Sequence, residues 1–388
     1  LLMKPTHCFM GWNINIDAII HLENAADVQK CYDTLSAVHP ETAQLFLDTV
    51  PKGVAHEALV PPSVTKALTD NFASEFVIAG QEGFFLRNIL YAFPELVPVC
   101  HLPNRSEMLV QMLTQLSEKI QVFGAHGLQS IKSTAPSKEA PPVHAVVEYN
   151  AGLTFQTKDG RTVTTPRNNR FIFTYDETNS NLVLDQFFLA NYKSVVDAKW
   201  LFLVSGYHLL TENVISQQFV GEHEQLLQDI QKRCGHLHFE LAFTNVERAR
   251  LMILNQLLKS CQSVGLNEVE LKMFAEEDKI FEDSEVLRLR KFTDKIQIPV
   301  MLFHTLGKYI AFNQTKIGYN FENGFKTAEK VVLETRKTAS SVEFAVKYPE
   351  EDKLEGEICY SPQLLKPISS SVGLGDTISS SIVVGMLQ

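Results

Sequence analysis

Trp200-Leu-Phe-Leu-Val-Ser205, His236-Leu-His-Phe-Glu-Leu-Ala-Phe243 and Ser263-Val-Gly-Leu266 are short apolar runs separated by helix-like stretches at residues 222–233 and 245–260. A strand buried on both faces reads as a continuous apolar run, whereas a half-buried one alternates. Strands of this kind alternating with helices imply crossover units, and so a parallel sheet with helices on both faces. Ligands of such sheets bind beyond the carboxyl ends of the strands. The polar residues that close each run are therefore the ones to examine.

Upstream, His7 to Ile20 reads as a strand on which Asn13, Asn15 and Asp17, spaced by two, share one face. Such a polar row suits either a ligand site or one solvated side of the strand end. Residues 24–50 have helical spacing, and a further helix is expected from Phe84 to about Ala92, after Gly83. Val97-Pro-Val-Cys-His-Leu102 reads as a buried strand and residues 125–143 as a loop. His144-Ala-Val-Val-Glu-Tyr149, Leu153-Thr-Phe-Gln-Thr157 and Phe171-Ile-Phe-Thr-Tyr175, with a turn at Asp159-Gly160, form a strand-rich patch inserted in the larger unit.

The composition is that of a globular protein: 45% hydrophobic and 21% charged, over 388 residues. Net charge is −10, with no dense Lys/Arg stripe, which argues against nucleic acid as a partner. No apolar run reaches the ~20 residues that span a bilayer. The six cysteines are scattered, without a CxxC pair, and do not make a disulfide framework. Cys234, His236 and His238 alternate, but no second ligand cluster accompanies them at zinc spacing. Asn104-Arg-Ser106 and Asn313-Gln-Thr315 are glycosylation triplets.

Three segments carry the chemistry. Val372-Gly-Leu-Gly-Asp376 precedes an apolar helix-like stretch from Thr377 to Met386. Glycines at Gly373 and Gly375 let backbone N–H groups converge, and the helix start adds unpaired N–H groups, so the turn suits a phosphate or a developing anion. Asp376 stands at its mouth, either as a proton acceptor or as the cap of the helix. Asn267 and Glu270, three apart at the start of a helix, share a face; they suit a hydrated Mg²⁺ or a capping arrangement. His238 and Glu240 share a strand face, where a carboxylate needs a partner or a metal. The phosphate-binding loop G-x-x-x-x-G-K-[ST], the protein-kinase set, the G-x-S-x-G elbow and H-E-x-x-H do not occur in the sequence.

Gly373-Leu-Gly-Asp376, Asn267-Glu-Val-Glu270 and His238-Phe-Glu240 together resemble the G-x-G-D, N-x-x-E and H-x-E motifs of the ADP-dependent sugar kinases. That family includes archaeal glucokinases and phosphofructokinases and animal glucokinases. Val264 to Leu271, Asn169-Arg-Phe-Ile-Phe173 and Phe303-His-Thr-Leu306 are similar to its eukaryotic members. The resemblance implies a ribokinase-like α/β domain, with a mostly parallel central sheet and helices on both faces, under a smaller β-containing lid. It places residues 1–20, 76–140 and 190–388 in the large domain, and 21–75 and 141–189 in the lid.

The resemblance also implies roles. The reaction would be β-phosphoryl transfer from ADP to the 6-hydroxyl of D-glucose, giving AMP and glucose 6-phosphate. Asp376 would be the base, Gly373 and Gly375 the anion hole, and Glu240, Asn267 and Glu270 the organisers of Mg²⁺. Arg170 would be a cation over the site or a lid salt-bridge partner. His304, Thr305 and Val372 would lie near the nucleotide. Gly11-x-Asn13-x-x-x-Asp17 looks like the sugar motif of the first strand. Ala79-Gly80-Gln81-Glu82-Gly83 resembles the G-G-[QN]-A-G turn, with Ala79 and Glu82 as departures; Glu82 would disturb the sugar pocket or point outward. Gly53-Val-Ala-His-Glu57 resembles the segment whose glutamate favours glucose over fructose 6-phosphate, the alternative reading for Glu57 being a surface charge. A phosphofructokinase is the near alternative, lacking an assignable cationic cluster for the 6-phosphate, and a catalytically silent sugar or nucleotide sensor is the distant one. The family's tendency implies a monomer. Its animal members carry a leader toward the endoplasmic reticulum, so that compartment or the secretory pathway is expected, with the cytoplasm as the alternative; residues 1–388 contain no leader.

Overall fold

The structure, a computed structural model, describes residues 3–53, 56–282, 284–305, 307–335, 357–360 and 373–388. A ten-stranded sheet forms its base. From one edge, the order is Glu357–Tyr360, Tyr309–Asn313, Val300–His304, Ser263–Leu266, His236–Glu240, Trp200–Val204, His7–Gly11, Val97–Cys100, Gln121–Gly124 and Gly127–Ser130. The seven strands from Val300–His304 to Gln121–Gly124 run parallel, and antiparallel pairings occur only toward the edges. Four inner strands are buried at every position, which is why each reads as an unbroken apolar run.

Each face of this sheet carries its own core. Phe9, Trp12, Phe188, Phe202, Leu227 and Phe274 belong to one, and Met10, Phe85, Ile89, Leu203, Ile378 and Ile382 to the other. In the first, the rings of Phe9, Phe188 and Phe202 stack at centroid distances of 4.8 and 4.6 Å. Burying side chains of this size contributes roughly 1.5–3 kcal/mol each.

The chain builds outward from His7–Gly11 in one direction, returns to Trp200–Val204 on its other side, and then builds outward the opposite way. The strand order therefore reverses between these two neighbours. A crevice opens beyond the carboxyl ends of the strands at such a point. Asn13 and Gly206 follow the two strands there.

A second, five-stranded sheet has the order His56–Leu59, Asn169–Thr174, Val143–Tyr149, Asn15–Leu22, Glu75–Ala79. One face packs on the helices Ala25–Val38, Pro40–Thr49 and Pro62–Asn71 through Val28, Phe46, Leu68 and Phe171. The expected strand from His7 to Ile20 is in fact two strands, His7–Gly11 in the large sheet and Asn15–Leu22 in the small one. Glu75–Ala79 likewise pairs with Asn15–Leu22, so both lie in the smaller sheet rather than with the residues expected in the large unit. Residues 24–50 divide at His39, which both closes the first helix and caps the second. Part of the expected loop at 125–143 is ordered as the edge strand Gly127–Ser130.

The expected helix after Gly83 starts earlier, at Gly80. Gly80 has φ +74°, and a Cβ there would lie 2.5 Å from the Asn13 carbonyl oxygen. The turn that needs glycine is thus at residue 80. Gly83 instead fits closely against Ile78 inside the helix, where a Cβ would be 3.1 Å from Cγ2. Among the described residues, no helix is long and apolar enough to cross a membrane.

Candidate active site

Glu240, the last residue of its strand, is buried, and both of its carboxylate oxygens are engaged. His238 Nε2 lies 3.1 Å from Oε2, and His304 Nε2, at the end of the strand beyond Ser263–Leu266, lies 3.0 Å from Oε1. The Ser379 hydroxyl, from the helix Leu374–Leu387, also donates to Oε2. Burial opposes the charge, but the two imidazoles outweigh it and hold the carboxyl at about 2. His238 is fixed in turn by Ser263, whose Oγ is 2.8 Å from Nδ1. Gly265 faces this group; a Cβ there would fall 2.0 Å from Glu240 Oε2.

Asn267 caps the helix Glu268–Glu277, with its side-chain oxygen accepting from the N–H groups of Val269 and Glu270. Glu270 completes a capping box: Oε2 accepts from the Asn267 backbone N–H at 2.8 Å and Oε1 from its side-chain amide at 2.9 Å. The capping arrangement weighed from the sequence is therefore present. Burial and the nearby carboxylates of Glu240 and Asp376 push Glu270 well above its usual value. An excess of negative charge has thus been gathered around one point.

Gly373, at φ +62°, is the residue before the helix Leu374–Leu387, and Asp376 lies in its first turn rather than capping it. Gly375 lies against the His304 ring, with a Cβ there 3.2 Å from Cε1. The two glycines, Asp376, His304, Glu240 and the Asn267/Glu270 pair thus converge at the carboxyl ends of adjacent strands. Thr305 is buried and its N–H donates to the Lys308 carbonyl. Val372 lies outside the described residues.

The polar row of the smaller sheet forms a second group. Asn15 Nδ2 donates to Asp17 Oδ1 at 2.6 Å. In register, His144 lies beside Asp17, and Arg170 beside Glu148. Glu57 pairs with Ile172 and accepts from Thr174 Oγ1 at 2.9 Å. Burial raises Asp17, while His144, Asn15 and Arg87 draw it back. Burial lowers Arg170 against the opposing pull of Glu148, Asp17 and Glu57. Asn13, in the break between the two first strands, is buried, and its Oδ1 has no hydrogen-bond partner among the described residues. Gln81 Oε1 accepts from the N–H of Gly206, tying the Gly80 turn to the strand-order reversal.

Glu82 neither points outward nor lines an open pocket. It is fully buried, and burial pushes it well above the usual carboxylate range against the weaker pull of the His101 backbone and the Cys100 side chain. The helix that begins at Gly80 turns residue 82 toward Cys100 and His101.

Several residues of this surface were not singled out from the sequence: His144, Asp176, Arg87, His208 and Ser379. His144 and Arg87 act electrostatically on Asp17, and His208 faces Glu57. His144 stands alone in an apolar strand, so only the alternation that aligns it with Glu148 hinted at a place on the polar face.

The architecture is that of the ribokinase-like kinases, with phosphate-suited groups on the large sheet and a polar-faced smaller sheet beside it. An archaeal structure described as a hypothetical ADP-dependent phosphofructokinase, from Pyrococcus horikoshii, superposes with a TM-score of 0.76 at 18% identity, covering 99% of both chains. The model of the ADP-specific phosphofructokinase/glucokinase conserved region matches residues 6–308, and the chain belongs to that family. It is 27% identical to an ADP-dependent glucose/glucosamine kinase of Pyrococcus furiosus, over 98% of this chain and 94% of the relative. The protein of the same name from Pyrococcus abyssi is 26% identical, over 97% and 93%.

Proposed function

We propose that this chain transfers the β-phosphoryl group of ADP to the 6-hydroxyl of D-glucose, releasing AMP and glucose 6-phosphate. The observation that carries the reading is the position of Asp376. It lies in the first turn of a helix that starts at a positive-φ glycine, within electrostatic reach of Glu270. A phosphoryl group held at that helix start would meet the backbone N–H groups of its first turn and the positive dipole end. Asp376 would accept the proton of the sugar hydroxyl as the O–P bond forms.

The residues fit a hydrated Mg²⁺. Glu240, Glu270 and Asp376 concentrate negative charge that a divalent cation would relieve. Among the described residues no three His, Cys, Asp or Glu side chains are grouped to ligate an ion directly, and Mg²⁺ commonly keeps several waters. Glu270 and Asn267 would hold those waters, while Glu240 would set the position of His304. Bound there with the nucleotide, Mg²⁺ would neutralise charge on the phosphates. His304 and Thr305 would border the nucleotide, beside the phosphate turn.

Asn13, Asp17, Gly80, Gln81 and Glu57 would receive the sugar, with Arg170 above the reacting phosphate. An acceptor bearing its own phosphate is the second reading, favoured by the two guanidiniums of Arg87 and Arg170 near Asp17. Four carboxylates, Asp17, Glu57, Glu75 and Glu148, surround those two cations. That balance favours an uncharged sugar. Steady-state assays with ADP, ATP and CDP as donors, and glucose and fructose 6-phosphate as acceptors, test the proposal. AMP release with glucose supports it; turnover only with fructose 6-phosphate, or none with ADP, sinks it.

A further inference from the structure

The helix Gly80–Ala92, which begins at the Gly80 turn, and the helix Leu374–Leu387, which carries Asp376, are joined by a polar tie inside an apolar core. Asn88 is 2% exposed, and Ser380 and Ser381 are fully buried. Phe85, Ile89, Ile378 and Ile382, on the same two helices, belong to the core around them. Asn88 Nδ2 lies 2.7 Å from the hydroxyl oxygens of both Ser380 and Ser381, and 3.3 Å from the Thr377 carbonyl oxygen. The hydroxyl protons are already committed. Ser380 Oγ donates to the Asp376 carbonyl at 2.6 Å, and Ser381 Oγ to the Thr377 carbonyl at 2.7 Å. A hydroxyl has one proton to give, so toward Asn88 both serines can only accept. The amide therefore turns its two N–H donors to them, one for each. A chain of hydrogen bonds thus runs from Asn88 through Ser380 to the backbone of Asp376.

We propose that Asn88 is a positioning residue for phosphoryl transfer: through Ser380, its amide sets the backbone of Asp376 against the helix whose start receives the sugar. The inference rests on the sugar-kinase reading given above. Stability alone does not call for this amide, since apolar side chains of similar volume fill such places as well or better. Directional bonds add what apolar contacts lack, because they oppose sliding and rotation of one helix along the other. Phe84, one turn before Asn88 on the same face, lies against Gly373. The contacts of Phe84 with Gly373 and of Asn88 with Thr377, Ser380 and Ser381 keep chain order, so the two helices run in the same sense. Their starts therefore lie at the same end. The Gly80 start is anchored in turn, since the Glu82 N–H donates to the Asn13 carbonyl at 3.0 Å and Gln81 accepts from Gly206. A base on one helix start must meet a hydroxyl held at the other. A misplacement of about 1 Å between them can cost about a hundredfold in rate. Each substrate keeps its own contacts when the tie is lost, so the chemical step suffers rather than binding.

Asn88→Leu keeps the volume and removes both donors, while the serine protons stay bonded to the Asp376 and Thr377 carbonyls. The expected result is a kcat lower by roughly ten- to a hundredfold, with KM for ADP and for glucose within about twofold. Ser380→Ala should give a similar loss, and combining it with Asn88→Leu should add little, because both break one chain of bonds. Asn88→Leu with Ser380→Ala and Ser381→Ala leaves a wholly apolar contact. Its thermal midpoint should match or exceed that of Asn88→Leu while kcat stays low. Turnover that recovers with the midpoint would show that the tie serves only the fold, and so would overturn the inference. A kcat for Asn88→Leu within about twofold of wild type, or losses that add, would do the same. Amide hydrogen exchange of the ligand-free protein gives a reading that needs no activity. Across residues 376–382 it should quicken by about tenfold or more in Asn88→Leu, with no change across the strand His236–Glu240. Unaltered exchange at residues 376–382 overturns the inference even where kcat falls. A wild type that turns over fructose 6-phosphate and not glucose defeats the glucose reading alone, and the same loss of kcat is then read with that sugar. A wild type that turns over neither, yet shows the local exchange, defeats the sugar-kinase reading and with it the role in transfer, leaving a structural tie.

Discussion

The Phe84 ring occupies the space into which a side chain on Gly373 would project: a Cβ at residue 373 would lie 2.4 Å from the ring atoms Cδ1 and Cγ. The phosphate-suited turn is therefore seated on the helix that carries the Gly80 turn. Gly373→Ala meets two penalties, the steric one and a positive φ that costs a side-chain-bearing residue about 1 kcal/mol. We expect kcat to fall by at least about a hundredfold, the scale set by losing one preorganised donor to a developing anion. Phe84→Ala added to Gly373→Ala should restore part of the thermal midpoint, because it clears the ring. A double variant no more stable than the single one counts against this packing.

Asp376→Asn removes the proton acceptor and keeps its size. Turnover should drop by about 10²–10⁴-fold, the range for a positioned general base, with nucleotide affinity by calorimetry little changed. Turnover within about threefold of wild type would mean that another group takes the proton.

Glu240→Gln tests the buried cluster. Since hydrogen bonds from His238 and His304 hold the carboxyl at about 2, below its ordinary value of 4.5, its ionised form favours the folded state. That contribution is complete above about pH 4.5 and is lost as pH falls toward about 2. The variant should be destabilised by roughly 3–5 kcal/mol at neutral pH, as when one partner of a buried pair is removed. It should also lose less stability than wild type between pH 5 and pH 3. Urea unfolding in metal-free buffer at several pH values measures both effects; parallel wild-type and variant curves would refute the assignment.

The parallel base and the phosphate end were legible because their determinants are local. Strands buried on both faces leave continuous apolar runs, and Glu240, Asn267 and His304 each sit where such a run ends. The smaller sheet was harder to read. Asn15–Leu22 follows His7–Gly11 after three residues, and Asn13 between them reads as one more alternating polar position of a continuous strand, so the change of sheet at Trp12 to Ile14 left no mark of its own. Gly80 and Gly83 are equivalent as letters, and only the close approach of Asn13 shows which one needs a positive φ. His144 carries no signal beyond its alternation with Glu148, because the pairing that sets it beside Asp17 joins strands far apart in the sequence.

Glu82 offers a prediction that runs opposite in sign to that for Glu240. Its carboxyl is fully buried and is pushed well above its ordinary value, chiefly by burial and with a lesser contribution from the Asp185 charge, against the weaker pull of the His101 backbone and the Cys100 side chain. In the unfolded chain it ionises near its ordinary value of 4.5, whereas in the folded one it keeps its proton to higher pH. Stability linked to Glu82 is therefore full below about pH 4.5 and declines as pH rises toward the folded value. Glu82→Gln cannot ionise, so it should gain stability over wild type at pH 8, by up to roughly 1.4 kcal/mol for each pH unit by which the folded carboxyl's value exceeds the unfolded one. At pH 4.5 the two proteins should unfold at similar urea concentrations. The helix start that carries Gln81 is the same one that buries residue 82, so glucose KM should change by no more than about twofold if Glu82 has no part in sugar binding. A variant less stable than wild type at pH 8 would show that the carboxylate is ionised and paired after all.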